Sequence, residues 1–210
     1  MGSKRQVSNP LGLAVLSYLV QRPMHPYELS RTLREHGDAR SIRYNHGSLY
    51  TVVGQLARAG FITAQETTRQ GLRPERTVYA LTDAGRRELH DWLHELIATP
   101  EHEYPQFVAA LSLISALPPD EVVTLLGDRL RGIDAQRVQA RGLIDGTLAD
   151  GVHPLFLVEE EYRLAQFDAE YAFIERLIAR ITDPDGGWGK PWAEFHRSSP
   201  PRPPGSVAAD

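Results

Sequence analysis

Between positions 48 and 76 the chain carries a concentration of groups suited to reading nucleic acid: Ser48, Tyr50, Thr51, Gln55, Arg58, Arg69, Arg73 and Arg76. Hydroxyls, an amide and guanidiniums are the side-chain groups that contact base edges and phosphates. Residues 40–87 hold eight arginines and only three acids, a local positive field of the kind that attracts a polyanion. With Leu49 at zero on a wheel of about 100° per residue, Val52, Val53, Leu56 and Gly60 fall within about 60° of it. Thr51, Gly54 and Arg58 lie opposite, with Ser48, Tyr50 and Gln55 on the flanks. Taken alone, such a face is the ordinary solvated side of an amphipathic helix. The segment that follows tips the balance. It bears Arg69, Arg73 and Arg76 with Glu75 as the one acid among them, and exposed arginines of this kind suit phosphate contact or minor-groove insertion.

Other chemistries find little support. The chain lacks a phosphate-binding Gly-Lys-Ser/Thr loop, a Gly-x-Ser-x-Gly elbow and a His-Glu-x-x-His pair, so no enzyme and no cofactor is expected. Cysteine is absent, which excludes disulfides and thiolate metal sites. His90 and His94 stand four apart on an expected helix, but no fixed third ligand accompanies them, and no metal site is expected. Glu159, Glu160 and Glu161 read as acids favouring a helix N-terminus.

These groups need elements to position them. Asn9-Pro10 opens a helix to about Val20, and Pro26 opens a second to about His36, stopped by Gly37. The third helix runs from about Gly47 to Ala59. The period then changes: residues 61–68 and 76–81 read as the two strands of a hairpin, joined by the Arg-bearing turn. Thr82 caps a further helix to about Ala98. Beyond a linker at 99–104, three helical patterns follow: 105–117, 119–148 and 154–181. The last is apolar along Phe167, Tyr171, Ile174, Ile178 and Ile181, with Tyr162, Phe173 and Leu177 as a second stripe. Two other helices cannot readily cover so broad a surface, so a second copy of the chain is the expected cover.

The expected fold is therefore mainly α with a small β-hairpin wing. Residues 1–98 form a winged helix-turn-helix, residues 105–182 a helical dimerisation domain, and residues 183–210, rich in Pro, Gly and Ser, a disordered tail. Charge divides the same way. Residues 1–98 carry 13 basic against 9 acidic side chains, and residues 99–210 carry 10 against 18. The basic Lys4-Arg5 before Leu11–Val20 lacks a small-residue cleavage site, and no stretch is long enough to span a membrane. A cytoplasmic protein is expected.

Three blocks of sequence resemble the PadR-type transcriptional regulators. They are Tyr27-Glu28-Leu29; Gly47-Ser48-Leu49-Tyr50 followed by Leu56 and Gly60-Phe61-Ile62; and Arg76 through Arg86. Pro26 and Thr51 depart from the pattern, where the family commonly has glycine and proline. The resemblance covers about residues 9–97. It implies a homodimeric regulator, usually a repressor, that binds an inverted repeat in double-stranded DNA. It also implies a small aromatic or lipophilic effector. Trp92, Phe107, Tyr162 and Phe167 are the candidates to line its cavity, and the alternative for these four is ordinary core packing. The alternative for the whole chain is a winged helix used as a protein-interaction module without sequence-specific DNA contact.

Overall fold

A computed structural model describes residues 5–65 and 77–198. The chain falls into two compact units, Met1–His102 and Glu103–Asp210.

In the first unit, helix α1 (Pro10–Gln21) starts where Asn9 accepts a hydrogen bond from the Leu11 N–H and Pro10 fills the first turn. Helix α2 (Pro26–Glu35) opens on a capping box. The His25 N–H donates to Glu28 at 2.9 Å, and the Tyr27 N–H donates to His25 Nδ1 at 3.0 Å. That backbone donor holds the Glu28 carboxyl below the usual carboxylate range. A 3₁₀ turn at Asp38–Arg40 leads to helix α3 (His46–Arg58), capped by Asn45.

Strands β1 (Ile62–Gln65) and β2 (Val78–Leu81) pair antiparallel, with Ile62 opposite Leu81 and Gln65 opposite Val78. The expected hairpin strands, 61–68 and 76–81, are thus paired over their inner parts. Residues 66–76 lie outside the described residues. Met24, between α1 and α2, bridges to Tyr79 by two 3.0 Å backbone bonds and borders the hairpin.

Helix α4 (Asp83–Ala98) is capped by Thr82, whose hydroxyl accepts from the Gly85 N–H at 3.0 Å and donates to the Gly60 carbonyl at 2.7 Å. Gly85 sits so close to the chain that a Cβ there would fall 2.0 Å from the Phe61 carbonyl oxygen. No side chain fits. The order of three helices, hairpin and helix is a winged helix-turn-helix, and its core is Leu11, Val15, Leu16 and Leu19 with Leu29, Leu33, Leu49, Val52, Val53, Leu56 and Ile62. On α3 these are the apolar positions that the helical wheel selects.

The second unit is helical. Helix α5 (Gln106–Ser112) gives way at Leu113 to a 3₁₀ turn, Ile114–Ala116, so the pattern at 105–117 is not one helix. Helix α6 (Pro119–Ala149) packs along helix α7 (Val158–Thr182), whose approach is a 3₁₀ turn at Pro154–Leu157. Val122, Leu126 and Ile133 meet Ile174 and Ile181 in its core. Polar links run beside that seam: Arg129 to Glu170 and Arg137 to Asp168, each at 2.5 Å. Val108, Leu113, Val138, Leu155, Phe156 and Tyr162 remain exposed. No helix among the described residues is long and apolar enough to cross a membrane.

The reading of 183–210 as disordered is corrected over its first half. Helix α8 (Gly189–Ser198) folds back on the unit, with Trp192 against its core and His196 Nε2 3.0 Å from the Ala116 carbonyl oxygen. Gly187 and Gly189 make the return possible. A Cβ at Gly187 would lie 2.3 Å from the Asp183 carbonyl oxygen, and one at Gly189 2.6 Å from that of Ile181. Composition reads these glycines as looseness, whereas their role here is close packing.

Candidate nucleic-acid interface

Helix α3 divides cleanly. Leu49, Val52, Val53 and Leu56 are buried and seat it on the core, while Tyr50, Thr51 and Arg58 are exposed and Gln55 is half-buried. The outward face carries no acid. Gly54 lies within it, and a Cβ there would meet nothing within 4 Å among the described residues. Packing does not require that glycine, so the backbone is bare on the side facing solvent.

The hydroxyls are less free than the wheel suggests. Ser48 Oγ accepts from the Asn45 N–H at 2.8 Å, and Asn45 Oδ1 accepts from the Ser48 N–H at 2.8 Å, closing a capping box. Thr51 Oγ1 donates to the Gly47 carbonyl at 3.0 Å, and Arg58 Nε to the Gly54 carbonyl at 3.2 Å. Thr51 Oγ1 keeps acceptor capacity and Arg58 keeps its terminal nitrogens, so both can still meet a duplex. Ser48 serves chiefly the start of the helix.

Two residues escaped the sequence reading. His46 occupies the first helical position, exposed and stacked on Tyr50 with ring centroids 4.8 Å apart. Arg43 is exposed just ahead of the cap. The local signal was available: Asn45 and Ser48 are spaced as a capping box, which puts His46 on the free end of the helix, where backbone N–H groups face outward. Just before it, burial pushes the Tyr44 phenol up, and its hydroxyl has no partner among the described residues. Of the wing candidates, Arg69, Arg73 and Arg76 lie outside the described residues.

The candidate effector residues fall in different units. Trp92 is buried in the first, near Gly12 and with the Arg5 guanidinium 5.4 Å from its ring centroid. In the second, Phe107 is half-buried beneath Arg129 at 3.7 Å, Phe167 packs against the core and Tyr162 is exposed. The His90 and His94 rings stand 4.1 Å apart, and among the described residues no three His, Asp or Glu side chains gather to hold a metal.

Residues 15–91 match the model of the transcriptional regulator PadR-like family. The negative transcriptional regulator PadR of Bacillus subtilis (strain 168) is 31% identical over 140 residues, which are 66% of this chain and 75% of that protein. The crystal structure of Bacillus subtilis PadR in complex with operator DNA aligns with a TM-score of 0.65 at 26% identity, covering 83% of this chain and 99% of that one. The same protein in complex with p-coumaric acid aligns with a TM-score of 0.66 at 23% identity, covering 84% and 99%.

Proposed function

The chain belongs to the PadR-like family of transcriptional regulators, and on that premise we propose that it is a homodimeric repressor that binds a specific DNA sequence through α3 and its wing. The observation that carries this reading is the outward face of α3, which is exposed, free of acids and bare of side chain at Gly54. Such a face suits insertion into a major groove, where a helix approaches base edges directly. Tyr50, Thr51, Gln55 and Arg58 are its base-reading candidates, and Ser48 is a further candidate contact near the start of the helix. Arg69, Arg73 and Arg76 contribute phosphate contacts from the wing. Repression accords with the Bacillus subtilis relative, a negative regulator, whose structure has been solved with operator DNA.

The homodimer is supported by the apolar side chains that the second unit leaves exposed on α5, α6 and α7 and on the turn before α7. Two half-sites about one helical turn apart then follow from two-fold symmetry. A small hydrophobic effector completes the proposal, in line with the p-coumaric acid complex of the relative. Trp92, Phe107, Tyr162 and Phe167 stand as its candidate contacts.

Selection of bound sequences from random duplex DNA tests the reading. It should enrich an inverted repeat, with half-site and spacing given together. A chain that enriches no sequence, and whose affinity for duplex is indifferent to salt, is instead a protein-interaction module.

A further inference from the structure

Helix α8 does more than cover the second unit. Between it, α7 and the segment Leu111–Ser115 lies a cavity of about 330 Å3, lined by Leu111, Ile114, Phe173, Leu177, Trp188 and Trp192, with Ser115 and Arg180 at its polar margin. Its volume falls at the small end of the roughly 300–1,000 Å3 typical of ligand pockets. None of the four aromatic residues singled out from the sequence lines it.

The chemistry of the walls is specific. Aromatic rings supply three of the eight lining residues, and flat faces favour a flat guest. Arg180 is the one charged residue of the lining; it is exposed and takes part in no ion pair among the described residues. Its guanidinium is held 3.8 Å from the Trp188 ring centroid, so its orientation is set by stacking rather than by an ion pair. Trp192, in the same wall, has a buried indole Nε1–H with no acceptor among the described residues. An apolar slot with an unpaired, positioned guanidinium calls for a guest with an aromatic body and an anionic end, since a carboxylate pairs bidentately with that fork. We infer that this cavity is a binding site for a small flat aromatic carboxylate. Its effect on DNA rests on the effector part of the function proposed above, while the binding itself does not.

The test uses the full chain and two probes, naphthalene-2-carboxylate and the uncharged naphthalene-2-carboxamide, titrated by calorimetry. The carboxylate should bind once per chain and more tightly than the amide. Arg180→Gln should weaken the carboxylate by about tenfold or more and leave the amide unchanged, with Arg180→Lys in between. Ser115→Trp, which fills the cavity from its margin, should abolish both. Circular dichroism and sedimentation of each variant separate lost binding from lost folding. No heat with either probe, equal affinity for the two, or an Arg180→Gln variant that binds the carboxylate as the parent does overturns the assignment. A second readout on the selected DNA keeps the two proposals apart. Carboxylate that binds through Arg180 yet leaves DNA affinity unchanged upholds the site and removes it from regulation.

Discussion

Replacing Gly54 with alanine should separate the stability of the first unit from its affinity for DNA. Glycine in a helix interior costs roughly 0.5–1 kcal/mol relative to alanine, because its unfolded chain has more freedom to lose. Gly54 lies inside α3, and a Cβ there meets nothing within 4 Å among the described residues, so the methyl adds no clash in the free protein. Gly54→Ala should therefore stabilise the fold by about 0.5–1 kcal/mol, a rise in Tm of roughly 2–8 °C for a unit of this size. If the bare backbone faces a duplex, the methyl occupies space the DNA needs. The loss should then be comparable to one good base contact, about 1–3 kcal/mol, or roughly fivefold to 150-fold in Kd. Thermal denaturation and a fluorescence titration with the selected duplex read the two effects on one sample. A lower Tm would mean that packing needs the glycine. A higher Tm with unchanged affinity would mean that this face of α3 does not meet DNA.

Gly85→Ala should do the reverse to stability, because its methyl would press on the Phe61 carbonyl at 2.0 Å; a loss above about 3 kcal/mol by chemical denaturation is expected, and a neutral result would refute the close approach. Arg58→Ala should weaken specific binding by about 1–3 kcal/mol at nearly unchanged Tm. Arg69→Ala and Arg73→Ala should weaken all duplexes alike and each lower the salt slope by about one, as measured by titration across salt concentrations. Glu28→Gln removes a carboxylate whose folded pKa is depressed, so the stability it supplies is full above the unfolded value and disappears as pH falls through the folded one. The variant, whose amide oxygen can still accept from the His25 N–H, should be only a few tenths of a kcal/mol less stable at about pH 7, and should converge on the parent as pH falls through the depressed folded pKa in acid denaturation; a constant deficit at all pH would assign the effect elsewhere.

The parts of the fold that declare themselves locally were legible in the sequence. Asn9-Pro10 and Thr82 announce helix starts, and the spacing of Leu49, Val52, Val53 and Leu56 names the buried face of α3. What depends on distant chain was not. Nothing around Gly187 and Gly189 says that α7's terminal carbonyls will lie against them, so a docked helix reads as a loose tail. The wheel shows which way Ser48 points but not that Asn45 takes up its hydroxyl. Arg180, Trp188 and Trp192 belong to one cavity only because α8 returns to α7, which no local pattern announces. On α7 the period finds Phe167, Tyr171, Ile174, Ile178 and Ile181, which pack into the second unit's own core, whereas Val108, Val138, Leu155 and Phe156 stay exposed outside that stripe.

The central claim is that α3 and the wing read a specific duplex. Its most direct test is the affinity of the full chain for the selected inverted repeat and for a scrambled duplex of the same length, each at 50 mM and 200 mM salt. Preference for the selected duplex should be about a thousandfold or more, with both affinities falling steeply as salt rises. Equal affinity for the two duplexes, or binding that ignores salt, would contradict it.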